Sequence, residues 1–230
     1  MTLPEKFKCT VTNWDFIYSL CRELSKKIKR SGYQPEMIVA LARGGWFAGR
    51  VLCDFLNLDD LTSLKVEHYV GTAAATGKPE IRYPLHDEAV RGKKILIVDD
   101  IADTGKSLRF AREHVMRSDP EEVKTASLQI LPTSEFTPDY YAQRLDEWTW
   151  VIYPWNFLED MCDIISRMMR REERVWTLED IYEGLRENYY IERIALEIAQ
   201  PGRLPEVMEE LEWRGVVERE GEGWRIKKQK

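Results

Sequence analysis

Four branched apolar residues in succession, Ile95, Leu96, Ile97 and Val98, run directly into Asp99 and Asp100 and then into Ile101-Ala102-Asp103-Thr104-Gly105-Lys106-Ser107-Leu108. An apolar run without alternation is the mark of a strand covered on both faces, as in the middle of a parallel sheet. Two carboxylates at its C-terminal end stand where open α/β sheets place their ligands. The residues that follow offer successive backbone N–H groups and hydroxyls at the start of a predicted helix, a setting suited to a phosphate. An ordinary strand-to-helix turn needs one Asp or Thr as a cap. It does not need an acid pair, a third acid three residues on and a Thr-Gly-Lys-Ser run. A Walker A loop is excluded because that motif requires glycine five residues before Gly105, and position 100 is Asp.

Around this run, strand and helix patterns alternate. Trp14, Ile17, Tyr18, Cys21, Leu24 and Ile28 share a helical face, which Ser31-Gly32-Tyr33-Gln34-Pro35 ends. A buried strand is predicted over 37–41, a tight turn at Ala42-Arg43-Gly44-Gly45 and a helix over 46–56. Strands are predicted over 64–70, 125–131 and 148–153, and a helix over 106–117. Residues 71–79 and 132–138 read as loops. The alternation predicts an α/β fold with a mostly parallel, doubly wound sheet flanked by helices. The composition shifts near residue 170. Three short helical patterns, at 177–189, 191–199 and 204–214, then precede a hairpin turned at Gly221-Glu222-Gly223. That order resembles a winged-helix module. The chain therefore divides into residues 1–168 and a small α+β module over 169–230.

A net charge of −6 argues against broad nucleic-acid binding, which needs a basic face. Cys9, Cys21, Cys53 and Cys162 lack paired metal-ligand spacing and read as buried thiols of a reducing compartment. The first ten residues are polar, unlike a signal peptide, and no apolar stretch is long enough to span a bilayer. A cytoplasmic location without membrane contact is expected.

Run 95–108 resembles the ribose-phosphate-binding signature of the type I phosphoribosyltransferases: an apolar strand, two acids, two variable residues, Asp-Thr-Gly and a small hydroxyl residue. The resemblance implies the fold of that family, with 5-phosphoribosyl-1-pyrophosphate (PRPP) and Mg²⁺ as substrate. It implies that Ala102, Asp103, Thr104, Gly105, Lys106 and Ser107 cradle the 5-phosphate. Asp99 and Asp100 would hold the ribose hydroxyls, directly or through the metal. Ala42, Arg43, Gly44 and Gly45 would bind pyrophosphate, and the family often has a strained or cis peptide there, which would fall at Ala42-Arg43. A mobile flap would cover the site from about residue 69 to 83, with Lys78 and Arg82 in reach of pyrophosphate oxygens. Asp103 would accept the purine N7 proton as general base.

Trp148-Thr149-Trp150-Val151-Ile152-Tyr153-Pro154-Trp155 resembles the base-binding strand of bacterial xanthine-guanine phosphoribosyltransferases and their archaeal relatives. The resemblance makes Trp150 the residue stacked on the purine, worth ~1–3 kcal/mol, and Val151 the main-chain reader of its edge. Ile101 and Leu131 would line the base, with Trp148 or Trp155 in the core. In 6-oxopurine enzymes a lysine nineteen residues before the stacking aromatic donates to the purine O6. That position here is Leu131, which cannot donate. Adenine carries a donor of its own at that edge, so the expected acceptor is adenine, giving AMP in purine salvage. The alternatives are a hypoxanthine, guanine or xanthine enzyme, or a PRPP-sensing regulator that reads DNA through its winged helix. Glu206, Glu209, Glu210 and Glu212 on the third helical pattern speak against DNA. A homodimer is expected.

Overall fold

The computed structural model describes residues 4–68 and 79–227. In chain order they form β1 (Cys9–Val11), α1 (Trp14–Arg30), β2 (Met37–Leu41), α2 (Gly45–Leu56), β3 (Leu61–His68), β4 (Pro79–Tyr83), α3 (Asp87–Val90), β5 (Lys94–Ala102), α4 (Lys106–Val115), β6 (Glu122–Ile130), β7 (Tyr140–Arg144), β8 (Trp150–Ile152), α5 (Phe157–Met169), α6 (Leu178–Tyr189), α7 (Arg193–Ala199), α8 (Leu204–Trp213), β9 (Val217–Glu220) and β10 (Gly223–Ile226). Two compact units result. One holds residues 15–148; the other joins 1–14 to 149–230.

The first unit is a six-stranded sheet in the order β4-β3-β2-β5-β6-β7, parallel except for the β3–β4 pair. Its centre is where continuous apolar runs place it: all five residues of β2 are buried, as are Ile95, Leu96, Ile97 and Val98 of β5. Successive side chains on β5 go to opposite faces. Ile95 and Ile97 pack with Leu108, Ala111 and Val115 of α4. Across the sheet, α2 sits so close that a Cβ on Gly49 would meet Ala40 and Ile38 at 3.1–3.3 Å. The expected α/β fold with a mostly parallel sheet is present.

Some elements differ from expectation. β7 lies between the loop predicted over 132–138 and the strand predicted over 148–153, where no element was expected, and β4 occupies the last part of the expected flap. The strand predicted over 148–153 is only Trp150–Ile152, and it lies in the second unit. There it pairs in parallel with β1, in the register Cys9↔Trp150, Thr10↔Val151 and Val11↔Ile152. That unit also contains α5, the three expected helices α6, α7 and α8, and the antiparallel hairpin β9–β10. Its core includes Phe157, Ile165, Leu185, Leu196, Val207 and Leu211. Thr177 and Asp180 form a reciprocal capping box at the start of α6. Among the described residues, no helix is long and apolar enough to cross a membrane.

Candidate active site

Ligands of open α/β sheets bind where successive crossovers leave in opposite directions. β2 leads through α2 to β3 on one side, β5 leads through α4 to β6 on the other, and β2 and β5 are paired. The C-terminal ends of β2 and β5 are therefore the switch point. The segments that leave it are 42–45 and 99–107, the two stretches singled out in the sequence.

Strand alternation starts the two acids on opposite faces of β5, and their carboxyl groups still interact at its end. Asp99 lies on the α4 face. It lines a cavity of about 240 Å³ together with residues 101–105, Ser107 and Leu108. Asp100 lies on the α2 face against Gly44, where a Cβ would overlap the Asp100 carboxylate. Glycine at 44 is thus what allows the loop after β2 to close on the acid of β5. The Asp100 N–H donates to Asp99 Oδ1 at 3.0 Å, and the Ile101 N–H donates to Asp100 Oδ1 at 2.8 Å. Burial, and then the neighbouring Asp100 carboxylate, push the Asp99 carboxyl well above the usual aspartate range.

Beyond the pair, Gly105 turns the chain into α4 with φ +73°. A side chain there would be strained and would stand 2.6 Å from Phe136 Cβ and 2.7 Å from Ser134 Oγ. This left-handed turn ahead of a helix gives the concave amide arrangement that binds anions. Asp103, Thr104 and Lys106 are exposed, Ser107 is half-buried, and Ala102 is buried. Thr133 Oγ1 donates to Asp103 Oδ1 at 2.9 Å. In the loop after β2, the Ala42–Arg43 peptide is cis, as the resemblance implied, and the Arg43 side chain is exposed.

Trp150 and Val151 belong to the second unit. Trp150 is half-buried, with Phe7 edge-on at 6.5 Å. Its N–H donates to Lys8 O, and the Thr12 N–H donates to Ile152 O. In a parallel ladder alternate residues bond the same neighbour, so the Val151 peptide groups point to the other edge of β8. That edge has no strand partner among the described residues. Trp155 is half-buried and stacks on Tyr153 at 4.8 Å. Ile101 lines the cavity beside Asp99. Leu131 is 3% exposed, and its N–H is bonded to Ala102 O. Lys78 lies outside the described residues. Arg82 stands on β4 and pairs with Glu67 at 2.9 Å. Thr133 was not legible in the sequence, since it lies in a stretch that reads only as loop.

A family model for the phosphoribosyl transferase domain matches residues 10–160, spanning parts of both units. The chain belongs to that family. Among curated relatives of this phosphoribosyltransferase, a xanthine-guanine phosphoribosyltransferase of Gluconobacter oxydans is 28% identical over 153 residues, which is 66% of this chain and 88% of the relative. Among solved structures, a purine phosphoribosyltransferase from Pyrococcus horikoshii is 31% identical with a TM-score of 0.56, covering 64% of this chain and 93% of that one. The xanthine-guanine-hypoxanthine phosphoribosyltransferase of Helicobacter pylori shares the fold at 21% identity and TM-score 0.58, covering 67% and 99%.

Proposed function

We propose that this chain transfers the 5-phosphoribosyl group of PRPP to a purine, releasing pyrophosphate and a nucleoside 5′-monophosphate. The observation that carries the reading is the meeting, at one switch point, of the left-handed Gly105 turn into α4, an acid pair and the 42–45 loop packed on it. The backbone of 102–107, with the Thr104 and Ser107 hydroxyls, anchors the 5-phosphate. Asp99 and Asp100 hold the ribose hydroxyls and add negative potential beside C1. Positive charge builds there as the C1–oxygen bond to pyrophosphate breaks and the bond to the purine nitrogen forms. Arg43 and the amides of 42–45 neutralise the leaving pyrophosphate, which keeps the electron pair. Asp103 takes the proton from purine N7. Trp150 stacks on the base, and the Val151 peptide reads its edge.

The donor set fits Mg²⁺. Asp99 and Asp100 supply hard carboxylate oxygens, the ligand type Mg²⁺ takes. A cation held in this way completes its shell from substrate oxygens and water. Bound with PRPP through Asp99 and Asp100, Mg²⁺ would supply charge neutralisation on the leaving group.

The names of the curated relatives, xanthine-guanine phosphoribosyltransferases, favour a 6-oxopurine acceptor. The second reading, adenine, rests on Leu131. The Leu131 side chain is a hydrocarbon and supplies no polar contact to either base class, so its weight in the choice is small. The appended helices and hairpin are read as a dimerisation or lid module; against DNA stand Glu206, Glu209 and Glu212, exposed on α8, which would repel phosphates. The test is PRPP-dependent turnover across guanine, xanthine, hypoxanthine, adenine, uracil and orotate. A kcat/KM for a 6-oxopurine at least tenfold above adenine is expected. The reverse order would restore the adenine reading, and turnover of pyrimidines alone would remove the purine assignment.

A further inference from the structure

β6 ends at Ile130, but the chain does not leave the site there. It runs on beside the phosphate loop, and every second residue is tied to it. The Leu131 N–H donates to Ala102 O at 3.0 Å, the Thr133 hydroxyl to Asp103 O at 3.1 Å, and the Glu135 N–H to Thr104 O at 3.1 Å. Three consecutive carbonyls of the phosphate loop are thus turned toward this strap. In a trans peptide the C=O and the following N–H point in opposite directions. The amides of Asp103, Thr104 and Gly105 are therefore turned away from the strap, as an anion cradle requires. The strap is itself fixed. Ser134 and Phe136 fill the space over Gly105, and Phe136 packs on the core of the sheet.

Thr133 does more than complete this ladder. The same hydroxyl lies 2.9 Å from Asp103 Oδ1, so its single proton is shared between the backbone and the carboxylate of one residue. Asp103 is exposed, and an exposed aspartate otherwise spreads over several rotamers. With Oδ1 held, the direction of Oδ2 is set, and Oδ2 has no protein partner among the described residues. We infer that Thr133 is a positioning residue: it fixes one Asp103 oxygen so that the other faces the proton to be removed. The inference rests on the proposed general-base role of Asp103.

A double-mutant cycle tests it on the full chain: wild type, T133V, D103N and T133V/D103N, with T133S as the conservative control. T133V keeps the shape and removes the hydroxyl. It is expected to lower kcat about tenfold, a loss on the scale of one charge-assisted hydrogen bond. KM for PRPP and the melting temperature should change little, and T133S should recover most of the rate. Once Asp103 is Asn, adding T133V should cost less than about twofold, because the two residues act as one unit. Wild-type kcat in T133V, where D103N is impaired, would overturn the positioning role alone. An undiminished tenfold loss in the D103N background would reduce Thr133 to a structural part of the strap. Wild-type turnover by D103N would instead remove the base role of Asp103, and with it this inference.

Discussion

At the scale of single residues, the proposed site holds an acid that the fold keeps ionised only at a cost. That acid is Asp99, its carboxyl held above the usual range by burial and by Asp100. Between the ordinary aspartate value of about 3.9 and this raised value, the folded protein binds more protons than the unfolded chain. Stability therefore falls as pH rises through that window. D99N keeps the Oδ1 acceptor for the Asp100 N–H and removes the charge. Thermal unfolding of the ligand-free protein at pH 7 is expected to show D99N melting higher than wild type by about 2–4 °C, the shift ~1 kcal/mol gives in a chain this size, while transfer is lost. An unchanged or lower melting point would contradict the assignment of Asp99 as a strained acid. Gly44 makes the complementary case. A methyl group there displaces the Asp100 carboxylate, so G44A is expected to weaken PRPP binding by calorimetry at least ~10-fold. Wild-type affinity in G44A would mean that Asp100 does not touch the substrate.

At the scale of elements, what was legible in the sequence follows burial. β2 and β5 are continuous apolar runs because both faces are covered, and α4, α6, α7 and α8 fall within a few residues of their predicted spans. β7 was not legible. Tyr140-Tyr141-Ala142-Gln143-Arg144 sits at the sheet edge, four of its residues half-buried and one exposed, so no face stands out. β1, three residues long, is defined by its pairing with β8 rather than by any local pattern. α5 did leave a signal, with Phe157, Met161, Ile164, Ile165 and Met168 buried at helical spacing, but the charged stretch after it drew the reading toward a boundary near 170. The acid pair, the glycine loop and Asp103 could be read because their chemistry is local. Thr133 could not, because its partner lies thirty residues away. Bonds from the Thr177 hydroxyl and then Arg174 hold the Asp180 carboxyl down to about 2, so its stabilisation is full above the ordinary aspartate value of about 3.9 and is lost as the pH falls from there through about 2. T177A is expected to cost about 1 kcal/mol. Hydrogen exchange should report it as faster exchange in α6, and equal loosening of the six-stranded sheet would contradict the division into two units.

At the scale of the molecule, the phosphoribosyl transferase match reaches across both compact units. Residues 15–148 carry the proposed phosphate cradle, the acid pair and the 42–45 loop, while the strand proposed to read the base is folded together with the N-terminus and the C-terminal helices. The ribose-phosphate half of the reaction and the choice of acceptor are thus assigned to different parts of the fold. That explains why one short run could identify the first and not the second. A regulator that senses PRPP would use the same cradle without transfer, so catalysis itself is the central claim. Its most direct test is pyrophosphate release by the purified chain given PRPP, Mg²⁺ and a purine. Pyrophosphate and nucleoside 5′-monophosphate should appear in equal amounts, only when the purine is present, and D103N should lower the rate at least ~100-fold. Binding of PRPP without any release, or release that ignores both the purine and the D103N change, would contradict the account.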